Sequence, residues 1–315
     1  MKEKFLHNTN PWWIILNPAA GNGKAGKLAN DIQQLLKENN FTFTLVETEY
    51  HQHAIELVAS GIQKGFRQIM AIGGDGTNNE VINGILQQQQ IPSTDILYTL
   101  LPLGTGNDWI KTHGIPNNYK KWILKIPSAQ VVQQDIGLVT YHNNGKKEQR
   151  YFANVAGLAY DAYLTKVKAE RSPKILPAIY YLWLVLVYLF KYKLKKAKVC
   201  FDGEEVEDLF YTINIGICRY SGGGMQFVPH AVSDDGRFAL TMARQVSKLD
   251  VLLYTPNIFA GKLAKHDLVT EHFAKSIRVE SVGEEPTMVE VDGEYLGETP
   301  VEFFMMELGL CFLCP

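Results

Sequence analysis

Cysteine is scarce in this chain: Cys200, Cys218, Cys311 and Cys314 are the four among 315 residues, too few and too scattered for the disulfide framework of a small secreted domain. A reducing compartment is the expectation. Cys311 and Cys314 make a Cys-x-x-Cys, but its interior is apolar and no second Cys or His pair completes a zinc site. Charge of one sign is lacking too, since 31 Lys and Arg stand against 33 Asp and Glu for a net charge of -2. That balance offers no global cationic field to nucleic acid, which is not expected as a partner. Gly (26) and Pro (13) are not in excess, and 46% hydrophobic with 20% charged residues excludes disordered, collagen-like and low-complexity chains. No uninterrupted apolar run has the roughly 20 residues of a membrane-spanning helix. Residues 175–190 come nearest, and they contain Pro177. Residues 1–10 are polar and charged without the apolar core of a secretory signal, so the expected location is cytoplasmic.

What is present is long enough for about two domains at roughly 150 residues each. In the first hundred residues short apolar runs alternate with helical spacings. Trp12 to Leu16 precedes Ala25, Leu28, Ala29, Ile32, Leu35 and Leu36; Phe41 to Val46 precedes Ala54, Leu57 and Val58; Ile69 to Ile72 precedes Val81, Ile82, Ile85 and Leu86; Ile96 to Leu101 follows. Such alternation builds a parallel sheet covered by helices, a doubly wound, Rossmann-like α/β domain with ligands beyond the carboxyl ends of its strands. After about residue 135 a period of two takes over, in Tyr211, Ile213, Ile215 and Ile217 and in Phe238, Leu240 and Met242, with hairpin dipeptides at Asp202-Gly203 and Asp292-Gly293. The second half is expected to be antiparallel β-structure, with a boundary within residues 127–150.

Three glycine-rich loops follow strands in the first half. Gly21, Gly23 and Gly26 spell a dinucleotide fingerprint, with Glu47 as ribose ligand; Gly21, Gly26 and Lys27 also spell most of a P-loop, although Leu28 stands where a hydroxyl would hold magnesium. Both patterns hold phosphate on N–H groups at a helix start, here beside Lys24 and Lys27. The second loop is Gly73-Gly74-Asp75-Gly76-Thr77-Asn78-Asn79-Glu80 and the third is Gly104-Thr105-Gly106-Asn107-Asp108. Their glycines let backbone approach a polyphosphate, and Thr77 and Thr105 offer hydroxyls. Asp75 among phosphates requires a cation, for which Mg²⁺ is expected. Alone, a Gly-Asp-Gly turn more often uses its Asp for a local hydrogen bond.

With these loops, with Leu101-Pro102-Leu103 ahead of the third, and with Asp292-Gly293-Glu294, the chain resembles the diacylglycerol kinase-like lipid kinases. Gly-Gly-Asp-Gly-Thr alone is shared with NAD kinases and phosphofructokinases, whereas Leu-Pro-Leu-Gly-Thr-Gly-Asn-Asp points to lipid kinases. The resemblance implies ATP- and Mg²⁺-dependent phosphoryl transfer to a lipid hydroxyl, of diacylglycerol or a related lipid, at the inner face of a membrane. It admits a homodimer. It implies an N-terminal α/β domain over 1–135, rejoined by 301–315, and a C-terminal antiparallel β-sandwich over 136–300. The implied ATP site is Asn17, Gly21, Thr48, Gly73, Gly74, Asp75, Gly76, Thr77, Asn78, Asn79 and Thr105. The implied catalytic set is Glu294 as proton acceptor, with Asp292 and Asp75. A structural magnesium segment is implied around Asp235, with the carbonyls of Val232 and Arg237, and Asp135 stands where relatives have a further magnesium-linked Asp.

Asp202-Gly203-Glu204 repeats the catalytic tripeptide and is expected to be an ordinary hairpin turn, because only the copy at 292 precedes Tyr295-Leu296-Gly297-Glu298-Thr299-Pro300. An extended Asp292 and Glu294 would project to one side, where one carboxylate raises the other's pKa. Three alternatives stay open: a kinase of a soluble acceptor such as NAD, a dinucleotide-binding oxidoreductase on Gly21, Gly23, Gly26 and Glu47, and a non-catalytic lipid-binding protein. Residues 175–190, followed by Lys191, Lys193, Lys195, Lys196 and Lys198, are expected at a membrane surface or in the core of the second domain.

Overall fold

Continuous apolar runs become strands buried on both faces in the computed structural model, which describes residues 10–171 and 187–315. β1 (Trp12–Leu16), β3 (Gln68–Gly73) and β4 (Leu97–Pro102) are buried at every position, as parallel strands under helices require. β2 (Phe43–Glu47), at the edge, is only partly buried. The order is β4-β3-β1-β2, all parallel, and the end of the last strand, β14 (Glu294–Cys314), adds beside β4 through Cys311 and Phe312. The helices are α1 (Ala20–Lys27), α2 (Ala29–Glu38), α3 (His53–Gln63), α4 (Asp75–Gln87), α5 (Asp108–Thr112) and α6 (Tyr119–Lys125). α2 buries Ala29, Ile32 and Leu36, three and four residues apart; the two larger side chains stabilise by about 1.5–3 kcal/mol each. This is one of two compact units: Met1–Ile136 with Glu307–Pro315, and Gly137–Met306.

The chain leaves the first unit along β5 (Gln130–Asn143), which turns at Asn144-Gly145 into β6 (Lys146–Phe152). β7 (Val155–Ala159), β8 (Lys195–Phe201), β9 (Glu204–Gly216), β10 (Phe238–Arg244), β11 (Val269–Ala274), β12 (Ser276–Ser281) and β13 (Met288–Val291) follow. The circuit β9-β7-β13-β14-β12-β8 returns to β9 through antiparallel pairs alone. The sandwich is therefore closed into a barrel. β9 makes this possible by pairing with β8 along its first half and with β7 along its second, as a strand shared by two sheets does. Inside, Phe152 stacks on Phe238 at 5.9 Å and meets Phe303 edge-on at 6.0 Å.

Among the described residues, the helices α7 (Tyr160–Arg171) and α8 (Lys248–Phe259) interrupt the β-structure of the second half. Ser247 and Asp250 form a capping box that starts α8. Of the apolar stretch 175–190, residues 175–186 lie outside the described residues, while 187–191 are helical, with Tyr188 and Leu189 buried and Phe190 exposed. Lys195, Lys196 and Lys198 lie in β8, ion-paired with Glu285, Glu207 and Glu205. That part of the basic run is matched by carboxylates of its own unit. No described helix is long and apolar enough to cross a membrane.

Candidate functional site

In the first unit, Asn17 follows β1 and ties two loops together. Its Oδ1 accepts the Ala19 N–H at 3.0 Å, and its Nδ2 donates to Thr77 Oγ1 at 3.0 Å. The backbone then runs left-handed through Gly21, Asn22 and Gly23, at φ 60°, 59° and 81°. A Cβ on Gly21 would stand 2.2 Å from the Leu103 carbonyl oxygen, so only glycine passes here. The second and third loops meet as closely: a Cβ on Gly104 would lie 2.3 Å from the Gly74 Cα. Asn107 closes the third loop, accepting the Gly104 N–H at 3.1 Å and donating to the Gly104 carbonyl at 3.0 Å. Gly21, Lys24, Leu103, Gly104, Thr105 and Tyr119 are among the residues lining a cavity of about 520 Å³, ample for a nucleotide-sized ligand.

Asp75 opens α4, and its Oδ1 accepts the N–H groups of Asp108 (2.8 Å) and Trp109 (3.4 Å) at the start of α5. It is a cap for the helix of the next loop. Burial, and then the charge of Asp108, raises its pKa against those hydrogen bonds. Lys111 pairs with Asp108 at 2.5 Å. Two neighbouring carboxyls held in like-charge conflict fit a hard divalent cation, which would relieve it. Gly73 ends β3 and Gly74 and Gly76 flank Asp75 at the start of α4, where first-turn N–H groups have no partner within the helix.

Asn78 and Asn79 face inward. Asn78 Oδ1 accepts the Tyr98 hydroxyl at 2.6 Å, and the carbonyl and Oδ1 of Asn79 accept from Asn83 Nδ2 at 2.9 and 3.1 Å. They brace α4 from the core side. Thr48, just past β2, is partly exposed and donates its N–H to the Leu16 carbonyl at 2.9 Å. Asp135 is fully buried, its Oδ1 accepting the Leu308 N–H at 2.7 Å, which anchors the returning end of the chain to β5.

In the second unit Asp292-Gly293 is a two-residue hairpin turn, at φ 51° and 84°, joining β13 to β14. Asp292 is left-handed, not extended, so the expected one-sided projection with Glu294 does not form. Asp292 instead accepts the N–H groups of Ala153 (3.2 Å), Asn154 (3.1 Å) and Val155 (3.2 Å). Glu294 Oε2 accepts from Arg150 Nη2 at 3.2 Å, and Glu294 keeps 23% of its side chain exposed while Arg150 is buried. Asp235 lies in an exposed turn, its Oδ1 accepting the Arg237 N–H at 3.0 Å, with Val232 exposed beside it. One carboxylate with main-chain carbonyls suits Mg²⁺, which retains several waters.

Residues 11–139 match the diacylglycerol kinase catalytic domain family, and residues 155–310 match the YegS C-terminal NAD kinase beta sandwich-like domain. The chain belongs to the diacylglycerol kinase-like lipid kinases. As a member it is a phosphotransferase with an alcohol group as acceptor. A Staphylococcus saprophyticus protein named diacylglycerol kinase is 29% identical over 298 residues, 93% of this chain and 92% of the relative. A crystal structure of a diacylglycerol kinase from Bacillus anthracis matches 97% of either chain with TM-score 0.71 at 22% identity, a likeness of fold. Yeast NADH kinase in complex with NADH shares the fold more distantly, at TM-score 0.50 and 12% identity over 98% of this chain and 84% of its own.

Several residues of this lipid kinase shape the site although the sequence reading assigned them no role. Glu80 caps α3 by accepting the N–H groups of Gln52 (3.0 Å) and Ala54 (3.4 Å). Arg150 orients Glu294 from a strand 144 positions away. Lys166 on α7 stands 5.1 Å from the centre of the Tyr295 ring, beside Glu294 in sequence. Glu290 had a signal: it is the lone carboxylate of the apolar strand Met288–Val291.

Proposed function

We propose that the protein transfers the γ-phosphate of ATP to the hydroxyl of diacylglycerol or a related lipid, with Mg²⁺ as cofactor. The observation that carries this reading is the glycine-surfaced cradle in which Gly21, Gly74 and Gly104 leave no room for a Cβ, beside a cavity of about 520 Å³. Backbone N–H groups of those loops bind the polyphosphate, and Lys24 adds charge. Asp75 keeps the third loop in shape through α5. Asp75 would hold a catalytic Mg²⁺, which when bound neutralises charge developing on the phosphoryl group; Asp235, with the Val232 and Arg237 carbonyls, would hold a structural one. Glu294, oriented by Arg150 and open to solvent, accepts the proton as the lipid oxygen bonds to phosphorus and ADP leaves.

A lipid acceptor is supported by the match of residues 11–139 to the diacylglycerol kinase catalytic domain family and by relatives named diacylglycerol kinase. An acceptor of this kind brings the enzyme to the inner face of a membrane. A second reading, a soluble acceptor such as NAD, is favoured by the NAD kinase-like match of residues 155–310. ATP consumption measured with diacylglycerol micelles, with NAD and with buffer alone separates them. Turnover with micelles only is expected; turnover with NAD only would overturn the lipid assignment.

A further inference from the structure

The turn at Asp292-Gly293 stands over a carboxyl that the proposed chemistry does not use. Glu290 in β13 points inward and is 4% exposed. Its Oε2 accepts the Gly293 N–H at 2.8 Å, and the Gly157 N–H donates to it as well. The approach to β7 is tight: a Cβ on Gly157 would lie 2.6 Å from Glu290 Oε1 and 2.9 Å from the Cβ of Asp161. Asp161, in the first turn of α7, accepts the Thr212 hydroxyl at 2.6 Å and a hydrogen bond from Asn214. Two carboxyls thus lie against one glycine. The other titratable groups that face them are Asp292, Tyr192 and Tyr211, while the cations Arg150 and Lys166 engage Glu294 and the Tyr295 ring.

Burial first, and then the charge of Asp161, holds Glu290 well above the usual carboxylate range, while burial lifts Asp161 to about 6. The turn above is attached through Asp292, whose carboxylate accepts the N–H groups of 153–155 and whose N–H donates to the Val155 carbonyl at 2.9 Å, and through Gly293, held by Glu290. Removing the second leaves the turn to pivot on the first, and Glu294 is the next residue along.

We propose that Glu290 is a positioning residue for Glu294: from beneath the turn its carboxyl holds the Gly293 N–H, and that bond fixes the direction in which Glu294 leaves the turn. This rests on Glu294 being the base of the lipid kinase reaction. An ionised carboxylate accepts an N–H at least as strongly as a protonated one, so the hold on Gly293 is set by the placement of the carboxyl. Glutamine is a neutral isostere of the protonated acid and keeps an acceptor for Gly293.

The test is kcat and the KM for ATP, with ATP and diacylglycerol micelles, for wild type, Glu290→Gln and Glu290→Ala, together with amide exchange at Gly293. Glu290→Ala is expected to lose about 10- to 100-fold in kcat at pH 7 with the KM for ATP unchanged, the scale of a misplacement near 1 Å. Glu290→Gln is expected to stay within about threefold. A Glu290→Ala enzyme with wild-type kcat overturns the proposal, as does a Glu290→Gln enzyme that drops as far. If Glu290→Ala does not fold, Glu290→Gln decides. A wild type that phosphorylates no lipid sinks the lipid kinase assignment alone, because Gly293 exchange needs no substrate: protection kept in Gln and lost in Ala supports the hold on the turn, and equal protection in both overturns it.

Discussion

Asp-Gly-Glu occurs twice in this chain and folds twice into the same turn. Asp202-Gly203, at φ 46° and 93°, joins β8 to β9, and Asp292-Gly293, at φ 51° and 84°, joins β13 to β14. In each the Asp side chain accepts N–H groups from a neighbouring connection: Lys275 and Ser276 for Asp202, residues 153–155 for Asp292. What differs is the surroundings of the Glu. Glu204 is exposed, and two places before Asp202 stands Cys200. Glu294 is held by a buried Arg150, and two places before Asp292 stands the buried Glu290. The tripeptide encodes a turn with its cap, and the chemistry is added by residues that the tripeptide does not contain.

The sharpest break in that comparison is at the two glutamates. Glu294→Gln should lower kcat by about 10²- to 10⁴-fold, the usual contribution of a general base, while leaving ATP affinity within severalfold. Glu204→Gln should leave kcat unchanged. Equal losses in both would mean that folding, not proton transfer, is affected, and a fully active Glu294→Gln would move the base elsewhere.

A smaller contrast lies at the aspartates. Asp292→Ala strips the acceptor from three N–H groups in a partly buried connection, which should cost about 1–3 kcal/mol, read by chemical denaturation. Asp202→Ala exposes N–H groups that water reaches, so a loss under about 1 kcal/mol is expected. Similar losses at both sites would remove the distinction in burial.

The smallest effect concerns pH. Asp161 has its folded pKa raised to about 6 by burial, and nothing comparable stands under the turn at 202. A carboxyl raised in the folded state favours folding while it is protonated. That stability is full below the unfolded value near 4 and is lost as pH rises through about 6. Asp161→Asn should flatten the decline in stability between pH 4 and 6, whereas Asp202→Asn should leave its slope intact.

Much of the first unit was legible. Trp12–Leu16, Gln68–Gly73 and Leu97–Pro102 are uninterrupted apolar runs, and such runs bounded by glycine loops have few structures open to them but parallel strands. α8 was hidden because it has apolar residues on both its packed and exposed sides and Pro256 within it, which blurs the helical period. Only the Ser247 and Asp250 box marked its start. Barrel closure was equally hidden, since it depends on β12 joining both β8 and β14, a pairing that no local pattern encodes.

The sequence alone determined the turns, the glycine loops and the order of strands and helices in the first half, because period and left-handed backbone are written in residue types a few positions apart. Tertiary structure decided which Asp-Gly-Glu has its glutamate against a buried arginine. The direction of a carboxyl is set by whatever lies within a few ångströms, and for Glu294 that is Arg150, 144 residues earlier in the chain, with Glu290 and Asp161 beneath the turn.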